Sequence, residues 1–212
     1  MSIDLTEAIG HCPLIAILRG VRPAEAVAMG EVLLHAGFRI VEVPLNSPEP
    51  FDSIRRLHKA FGDRLLIGAG TVLSTEAVAN VAEAGGRIIV MPHGDPAVIR
   101  AAKAAGMVCT PGVATPTEGF AALAAGADAL KLFPAEQLGP TVLKAWRSVF
   151  PAGTSFVPVG GITPDNMRPW LDAGAAGFGL GSGLYRKGMS VPALAERAYH
   201  YIHAIGELRS RN

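Results

Sequence analysis

The sequence predicts an α/β fold built from one repeated unit: a short apolar strand, a loop, and an alanine-rich helix. Short β-branched or leucine-rich runs recur eight times, the segments between them have helical periodicity, and several of those segments end on glycine, as helix C-caps do. Near-continuous apolar strands indicate a parallel sheet covered by helices. Eightfold repetition favours closure into a single (β/α)8 TIM barrel, with an open doubly wound sheet as the alternative.

The candidate strands follow the chain at similar intervals. In order they are LIAIL (14–18), RIVEVPL (39–45), LLIGAGTV (65–72), RIIVMP (87–92), MVCTPG (107–112), ALKLF (129–133), SFVPVGG (155–161) and GFGLGS (177–182). GAGTVL at 68–73 lies within the third strand and does not match the GxGxxG loop of a dinucleotide-binding open sheet.

Helix boundaries are marked between these strands. Starts are indicated by STE (74–76), TPTE (115–118) and TPDN (163–166), and ends by the Ala-Gly turns of HAGF (35–38), EAGG (83–86), AAGM (104–107), AAGA (124–127) and DAGA (172–175). Trp146 and Trp170 fall in predicted helices and are interpreted as packing residues. Because no linker or composition shift interrupts the pattern, we expect residues 1–212 to form one barrel domain with a short N-terminal helical extension.

Composition limits the function classes. With 50% hydrophobic residues and a net charge of +1, the sequence lacks the excess of basic residues typical of nucleic-acid-binding proteins, and a small-molecule partner is favoured. The N-terminal segment MSIDLTEAIGHCP lacks an apolar signal region, and no apolar run is long enough to span a bilayer, so we expect a cytoplasmic protein without membrane contact. Cys12 and Cys109 have no CxxC spacing and are interpreted as small apolar residues.

A mean hydropathy of +0.32 together with 17% charged residues leaves little polar surface for a monomer of this size. We therefore expect part of the apolar surface to be covered by further copies of the chain.

In a barrel the active site lies at the C-terminal ends of the strands, which gives a set of candidates before any function is assumed. The residues there are Arg19, Glu42, Thr71, Pro92, Lys131, Gly160, Gly161, Gly181 and Ser182.

Lys131 and Glu42 are charged residues inside apolar strands. A desolvated lysine has a lowered pKa, and its neutral amine is a nucleophile toward ketones, whereas a buried carboxyl has a raised pKa and can move protons. An amine and a carboxyl at one barrel mouth fit Schiff-base chemistry, which needs an acid–base group to expel water. The alternative for Glu42 is a structural ion pair with Lys131 or an arginine.

The glycine pairs after the last two strands suggest an anion site. Bare backbone N–H groups at Gly160, Gly161, Gly181 and Ser182, where a short extra helix could begin, are suited to a phosphate group. The alternative is that these glycines only turn corners. Arg19, helped by the Thr71 hydroxyl, could hold a carboxylate; its alternative is a salt bridge at the rim.

The histidines do not indicate a metal site. His11, His35, His58 and His93 lack ligand spacing, and the terminal YHYIH segment is more typical of a solvated or interface helix face. We therefore predict no metal.

These motifs together resemble the class I KDPG/KDPGal aldolases. The resemblance is carried by AILRG, EVPLNSP, IGAGTVL, LKLFP and VGGITPDN, and runs from about residue 13 to the C-terminal helix. It implies that Lys131 forms the Schiff base with the substrate's C2 ketone and that Glu42 shuttles protons. It further implies pyruvate contacts by Arg19 and Thr71, a phosphate site at the four glycine-corner residues, products pyruvate and glyceraldehyde 3-phosphate, no cofactor, and a homotrimer.

The second strand distinguishes two substrate branches of this family. EVPLNSP is similar to the branch that acts on 2-dehydro-3-deoxy-6-phosphogalactonate, whereas the branch acting on its C4 epimer, 2-dehydro-3-deoxy-6-phosphogluconate, carries EVTLRT. Asn46 stands where that second branch has arginine, and we therefore expect Asn46 to affect discrimination at C4.

Three other function classes remain open at this point. A metal-dependent epimerase would need His and Asp ligands at strand ends. A synthase or isomerase acting on another phosphorylated substrate would not trap pyruvate with borohydride. A noncatalytic phosphate-binding protein would have no need of Lys131 or Glu42.

Overall fold

The computed structural model describes residues 5–210, in which short parallel strands alternate with helices. The strands are β1 Leu14–Ile17, β2 Ile40–Pro44, β3 Leu66–Gly70, β4 Ile88–Val90, β5 Val108–Thr110, β6 Gly112–Val113, β7 Leu130–Leu132, β8 Phe156–Pro158 and β9 Phe178–Leu180. The helices are α1 Leu5–His11, α2 Pro23–Ala36, α3 Pro50–Phe61, α4 Thr75–Glu83, α5 Pro96–Ala104, α6 Pro116–Ala124, α7 Ala135–Trp146, α8 Met167–Asp172 and α9 Val191–Ser210, with a 3-10 turn at Pro164–Asn166.

The strands form two parallel sheets in sequential order. One has the order β5-β4-β3-β2-β1-β9 and the other β6-β7-β8. The sheets approach each other at two places: Pro111 alone separates β5 from β6, and Val159 after β8 forms a parallel bridge with Gly179 of β9. The predicted α/β fold with a parallel sheet is therefore confirmed, and this order differs from that of a doubly wound sheet.

Three predicted strands and one predicted helix are corrected by the structure. The predicted fifth strand, 107–112, is divided at Pro111, because proline has no N–H to donate to the ladder. The seventh and eighth end before their glycine corners, at Pro158 and Leu180. The extra helix predicted at Ser182 is wrong: the N–H groups of Leu184 and Tyr185 both donate to the Gly181 carbonyl at 3.0 Å, which forms a turn.

Most of the predicted helix boundaries agree with the structure, whereas TPDN (163–166) forms the 3-10 turn and α8 begins after it, at Met167. Ser74 caps α4 by accepting from the Ala77 N–H at 3.1 Å, and Thr115 forms a capping box with Glu118 at the start of α6. The glycines of the five Ala-Gly turns all have positive φ, as a helix end of this type requires: Gly37, Gly85, Gly106, Gly126 and Gly174.

Side-chain alternation divides the interior into two layers. The larger apolar cluster lies between the strands and the helices and includes Trp146 and Trp170, both buried as predicted. A smaller cluster, which we call the inner cluster, lies on the other face of the strands and consists chiefly of Ile15, Ile17, Ile40, Leu66, Ile88, Val90, Ala129, Val157 and Val159. Cys12 and Cys109 are buried free thiols. Within residues 5–210, no helix combines the length and apolarity needed to cross a membrane.

Candidate active site

A cavity of about 600 Å³ opens where the strands end. Most of the predicted site residues line it: Arg19, Thr71, Pro92, Lys131, Gly160, Gly161, Gly181 and Ser182. Glu42 and Asn46 are not among the lining residues. The structure therefore gathers the predicted amine, the predicted guanidinium of Arg19 and both glycine corners around a space large enough for a small ligand.

Lys131 brings a buried amine to this cavity. It lies on β7 between Leu130 and Leu132, its residue is 6% exposed, and its Nζ lies 4.5 Å from the centre of the Phe133 ring. Burial lowers the pKa of the Lys131 ammonium, an effect that the nearby Glu42 charge opposes. The amine is therefore easier to deprotonate than an exposed lysine, which makes it a better nucleophile.

Glu42 lies deeper than the cavity wall. It belongs to β2, is 2% exposed, and its Oε2 has no hydrogen-bond partner among the described residues. Burial raises the pKa of the Glu42 carboxyl to about 7, against the attraction of Lys131 and Arg19. The carboxylate occupies the space beside Gly70, since a Cβ at Gly70 would overlap it.

The structural ion pair considered for Glu42 is not formed. Across residues 5–210, no salt bridge within 4.0 Å joins Glu42 to Lys131 or to an arginine. The charges of Glu42 and Lys131 nevertheless act on each other's pKa, so the two groups lie near each other without forming an ion pair.

Arg19, Asn46 and Thr71 form a hydrogen-bonded group at the rim. Arg19 donates from Nη1 to the Asn46 Oδ1 at 2.6 Å and from Nη2 to the Thr71 Oγ1 at 3.4 Å. The backbone N–H of Gly20 donates to the Ser47 Oγ at 2.8 Å, which ties the loop after β1 to the loop after β2. Asn46 thus contacts the Arg19 guanidinium, and the rim salt bridge considered for Arg19 is absent from the described residues.

Thr71 has a strained backbone. Its φ is 57°, in the left-handed region that a β-branched residue rarely occupies. Such strain persists where the surrounding structure enforces it, and here it directs the hydroxyl toward Arg19.

The glycine corners are fixed by side chains that bind their carbonyl groups. Asn166 donates to the Gly161 carbonyl at 2.7 Å, and Arg186 donates to the Ser182 carbonyl at 3.0 Å. Gly160 and Gly161, which form the first corner, have φ values of 111° and 66°. These positive φ values are readily adopted by glycine and rarely by other residues. Rigid, bare backbone of this kind can hold an anion.

Sequence reasoning missed several lining residues, of which three could contact a ligand through an aromatic ring or a charge. Phe133, Glu136 and Arg186 face the cavity, and the Glu136 side chain lies against Gly160 and Gly161. Glu136 belongs to the same LKLFPAE segment as Lys131, and this proximity in sequence is the signal that could have identified Glu136 as a site residue. Arg186 follows the second corner by a few residues and adds a positive charge that could contact an anionic group.

A metal centre is not suggested by the geometry. Over residues 5–210, no three His, Cys, Asp or Glu side chains converge in a way that could hold a metal ion.

Comparison with known proteins adds an independent line of evidence. The family model described as KDPG and KHG aldolase matches residues 5–196. The 2-dehydro-3-deoxy-6-phosphogalactonate aldolase of Escherichia coli K12 is 50% identical over 195 residues, which is 92% of this chain and 95% of that protein.

Two solved structures are also similar. A native KDPGal structure has a TM-score of 0.93 and 47% identity and covers 99% of this chain and 100% of its own. The KDPG aldolase of Legionella pneumophila, with pyruvate captured as a covalent carbinolamine intermediate, has a TM-score of 0.81 and 26% identity, with coverage of 97% and 98%.

Proposed function

Because the chain belongs to the KDPG and KHG aldolase family and is a carbon–carbon lyase, we propose that it cleaves 2-dehydro-3-deoxy-6-phosphogalactonate to pyruvate and glyceraldehyde 3-phosphate through a Schiff base. The observation that carries the proposal is the buried Lys131 amine at the cavity, together with a buried Glu42 carboxyl that acts on its pKa and whose Oε2 has no hydrogen-bond partner among the described residues. Burial lowers the pKa of Lys131 and so favours its neutral, nucleophilic amine, and burial raises the pKa of Glu42 to about 7, which allows this carboxyl to give and take protons near neutral pH.

The proposed reaction begins at C2 of the keto acid. Neutral Lys131 Nζ adds to the carbonyl carbon, and Glu42 protonates the resulting hydroxyl so that it leaves as water. The C3–C4 bond then breaks, its electron pair moving into the iminium to form an enamine, while the C4 hydroxyl proton passes to Glu42. Glyceraldehyde 3-phosphate departs, Glu42 returns its proton to C3 of the enamine to form the pyruvate iminium, and water hydrolyses the iminium to free pyruvate and Lys131. These steps use no cofactor.

Substrate binding is assigned to the other lining residues. Arg19, aligned by its bonds to Asn46 and Thr71, holds the carboxylate with its planar guanidinium. Gly160, Gly161, Gly181 and Ser182 hold the phosphate through backbone N–H groups, helped by the charge of Arg186.

The choice of epimer rests on the second strand. EVPLNSP matches the galactonate branch, and the identity to the E. coli galactonate enzyme is higher than that to the Legionella KDPG aldolase. The second candidate is the same cleavage of 2-dehydro-3-deoxy-6-phosphogluconate. A test with both epimers, comparing kcat/KM, separates the two.

We also propose that the two sheets close into one (β/α)8 barrel domain with α1 as its N-terminal extension. Two observations support closure. The chain passes from β5 to β6 through one residue, where the Lys131 N–H donates to the Pro111 carbonyl at 2.9 Å, and Val159 bridges to Gly179 on the other side.

A homotrimer and a cytoplasmic location complete the proposal. Exposed apolar side chains such as Leu73, Phe120 and Val149 (57%, 45% and 60% exposed) offer surface for contact between copies. Light scattering that gives a 22.0 kDa particle at micromolar concentration would contradict the trimer. The location follows from the substrate, because a phosphorylated sugar acid does not cross a bilayer unaided.

Borohydride reduction in the presence of pyruvate tests the chemistry. We expect a covalent adduct on Lys131 by mass mapping, no adduct in Lys131→Ala, and a normal adduct in the control Lys144→Ala, which alters an exposed lysine of α7. Activity should survive EDTA. An adduct on Lys103, Lys144 or Lys187, or no adduct, would refute the assignment.

A further inference from the structure

We infer that Thr110 is a positioning residue for the proposed reaction: its hydroxyl holds a water molecule that is hydrogen-bonded to the Glu42 carboxyl and relays protons to the substrate. This inference rests on the proposed aldolase function, which assigns proton transfer to Glu42. It concerns a residue that neither the motifs nor the cavity lining had singled out.

Strand register places Thr110 on the same face as Lys131. Within β5, Val108 packs against the inner cluster, and Cys109 belongs to the larger cluster between strands and helices. Because side chains alternate along a strand, Thr110 faces inward again. Its register partner on β4, Val90, is a member of the inner cluster. On the other side Gly112, two residues after Thr110, pairs with Lys131, which makes Thr110 and Lys131 diagonal neighbours.

The Glu42 carboxylate reaches the level of Thr110. Although Glu42 pairs with Gly68, its carboxylate fills the space beside Gly70, one layer nearer the strand ends. Gly70 and Val90 directly follow Ala69 and Ile89, the last register pair between β3 and β4, and Val90 pairs with Thr110.

The carboxylate and the hydroxyl are therefore level and two strands apart. Two strand spacings amount to about 9.6 Å, and side chains that extend inward shorten this gap. A single water spans about 5.5 Å between two oxygen atoms. The separation thus suits one bridging water rather than a direct hydrogen bond.

Both oxygens also lack another partner. Thr110 is 1% exposed, and its Oγ1, like the Glu42 Oε2, has no hydrogen bond among the described residues. Buried polar atoms normally have a partner, and a buried water takes two to four. The inner neighbours Ile17, Val90 and Val157 are aliphatic and offer none, which leaves Glu42 and the Lys131 amine as the polar groups near Thr110. Thr110 and Glu42 are therefore suited to hold the same water.

The expected signature is a change in pH dependence. The charged groups that act on the Glu42 carboxyl are Lys131 on β7 and Arg19 after β1. A hydrogen bond from the Thr110 hydroxyl through water stabilises the ionised carboxylate in addition to these charges. Removing the hydroxyl should therefore move the acid limb of proton transfer to higher pH.

Thr110→Val, Thr110→Ser and the control Ser53→Ala test the inference. Valine has nearly the shape of threonine, serine keeps the hydroxyl, and Ser53 is another buried hydroxyl without a partner, located on α3. We would measure borohydride trapping of pyruvate, which reports Schiff-base formation, and exchange of the pyruvate methyl protons with deuterated water, which reports proton transfer at C3.

We expect Thr110→Val to trap pyruvate within about twofold of the wild-type rate, to exchange protons about tenfold more slowly, and to shift its pH profile to higher pH. Thr110→Ser should restore exchange, and Ser53→Ala should match wild type. A wild-type exchange rate and pH profile in Thr110→Val would overturn the inference, as would equal slowing in the valine and serine variants, which would indicate a packing role. Absence of a pyruvate adduct in the wild-type protein would instead refute the proposed function.

Discussion

Replacing Glu42 by glutamine should stabilise the protein above neutral pH. The carboxyl is 2% exposed, and burial raises its pKa from 4.5 to about 7. A raised pKa in the folded state means that its stabilising contribution is complete below the unfolded pKa and is lost as the pH rises through about 7. At 1.36 kcal/mol per pH unit, ionising this group in the folded protein costs about 3 kcal/mol.

Urea unfolding at two pH values measures this cost. Between about pH 5 and about pH 8.5, the unfolding free energy of the wild type should fall by about 2.5 kcal/mol relative to that of Glu42→Gln. The comparison uses equal protein concentrations, because association also contributes to stability. Glutamine is nearly isosteric with glutamate, so the pH-dependent difference isolates the charge.

Glu136→Gln provides the matched control. Glu136 faces the same cavity but is exposed, so its charge remains solvated and the control should retain the wild-type pH dependence. Equal pH dependence in wild type and Glu42→Gln would refute the reasoning, since it would mean that the Glu42 carboxyl ionises without a desolvation cost.

Three further predictions follow from the rim and the glycine corner. Thr71→Gly should leave the unfolding free energy within about 1 kcal/mol, because relief of the left-handed strain offsets the entropy cost of glycine, yet raise KM for pyruvate in an exchange assay; a large loss of stability would contradict it. Gly161→Ala should raise KM for the phosphorylated substrate much more than for pyruvate, since φ is +66° and the new Cβ would lie 3.1 Å from the Glu136 Oε2; equal effects on both would argue against a phosphate site there. Asn46→Arg places a second guanidinium beside Arg19, so kcat/KM should shift toward the gluconate epimer and KM for pyruvate should rise. The control Asn46→Asp keeps an oxygen that accepts the Arg19 hydrogen bond and should hold Arg19 in place. An unchanged epimer ratio in Asn46→Arg would show that Asn46 does not determine specificity.

The strands and the burial of Glu42 and Lys131 could be predicted from the sequence because their signals are local. The continuous apolar runs of β2 and β7 mark Glu42 and Lys131 as charged residues in buried positions, whatever the rest of the chain does. The break at Pro111 is also a local effect, because proline has no N–H to donate to the sheet. The apolar run on both sides of Pro111 nevertheless predicts one continuous strand.

Contacts between loops could not be predicted in this way. The bond from Arg19 to Asn46 joins residues 27 positions apart, and it depends on the conformations of two loops that have no periodic signal. The same holds for Glu136 beside the first glycine corner. The helix expected at Ser182 failed because a glycine-rich segment fits a tight turn as readily as a helix start.

The missing side chain at Gly70 has a consequence for anyone who would adapt this scaffold to new aldehyde acceptors. Since the Glu42 carboxylate occupies the volume that a Cβ at position 70 would take, the two positions form one design unit. A library that varies residue 70 alone would displace the Glu42 carboxylate, which we propose as the acid–base group, and we therefore expect its members to be inactive however well they accommodate the acceptor. Pairing a larger residue at 70 with a shorter aspartate at 42 would keep a carboxylate in the pocket and change how far that carboxylate extends toward the substrate.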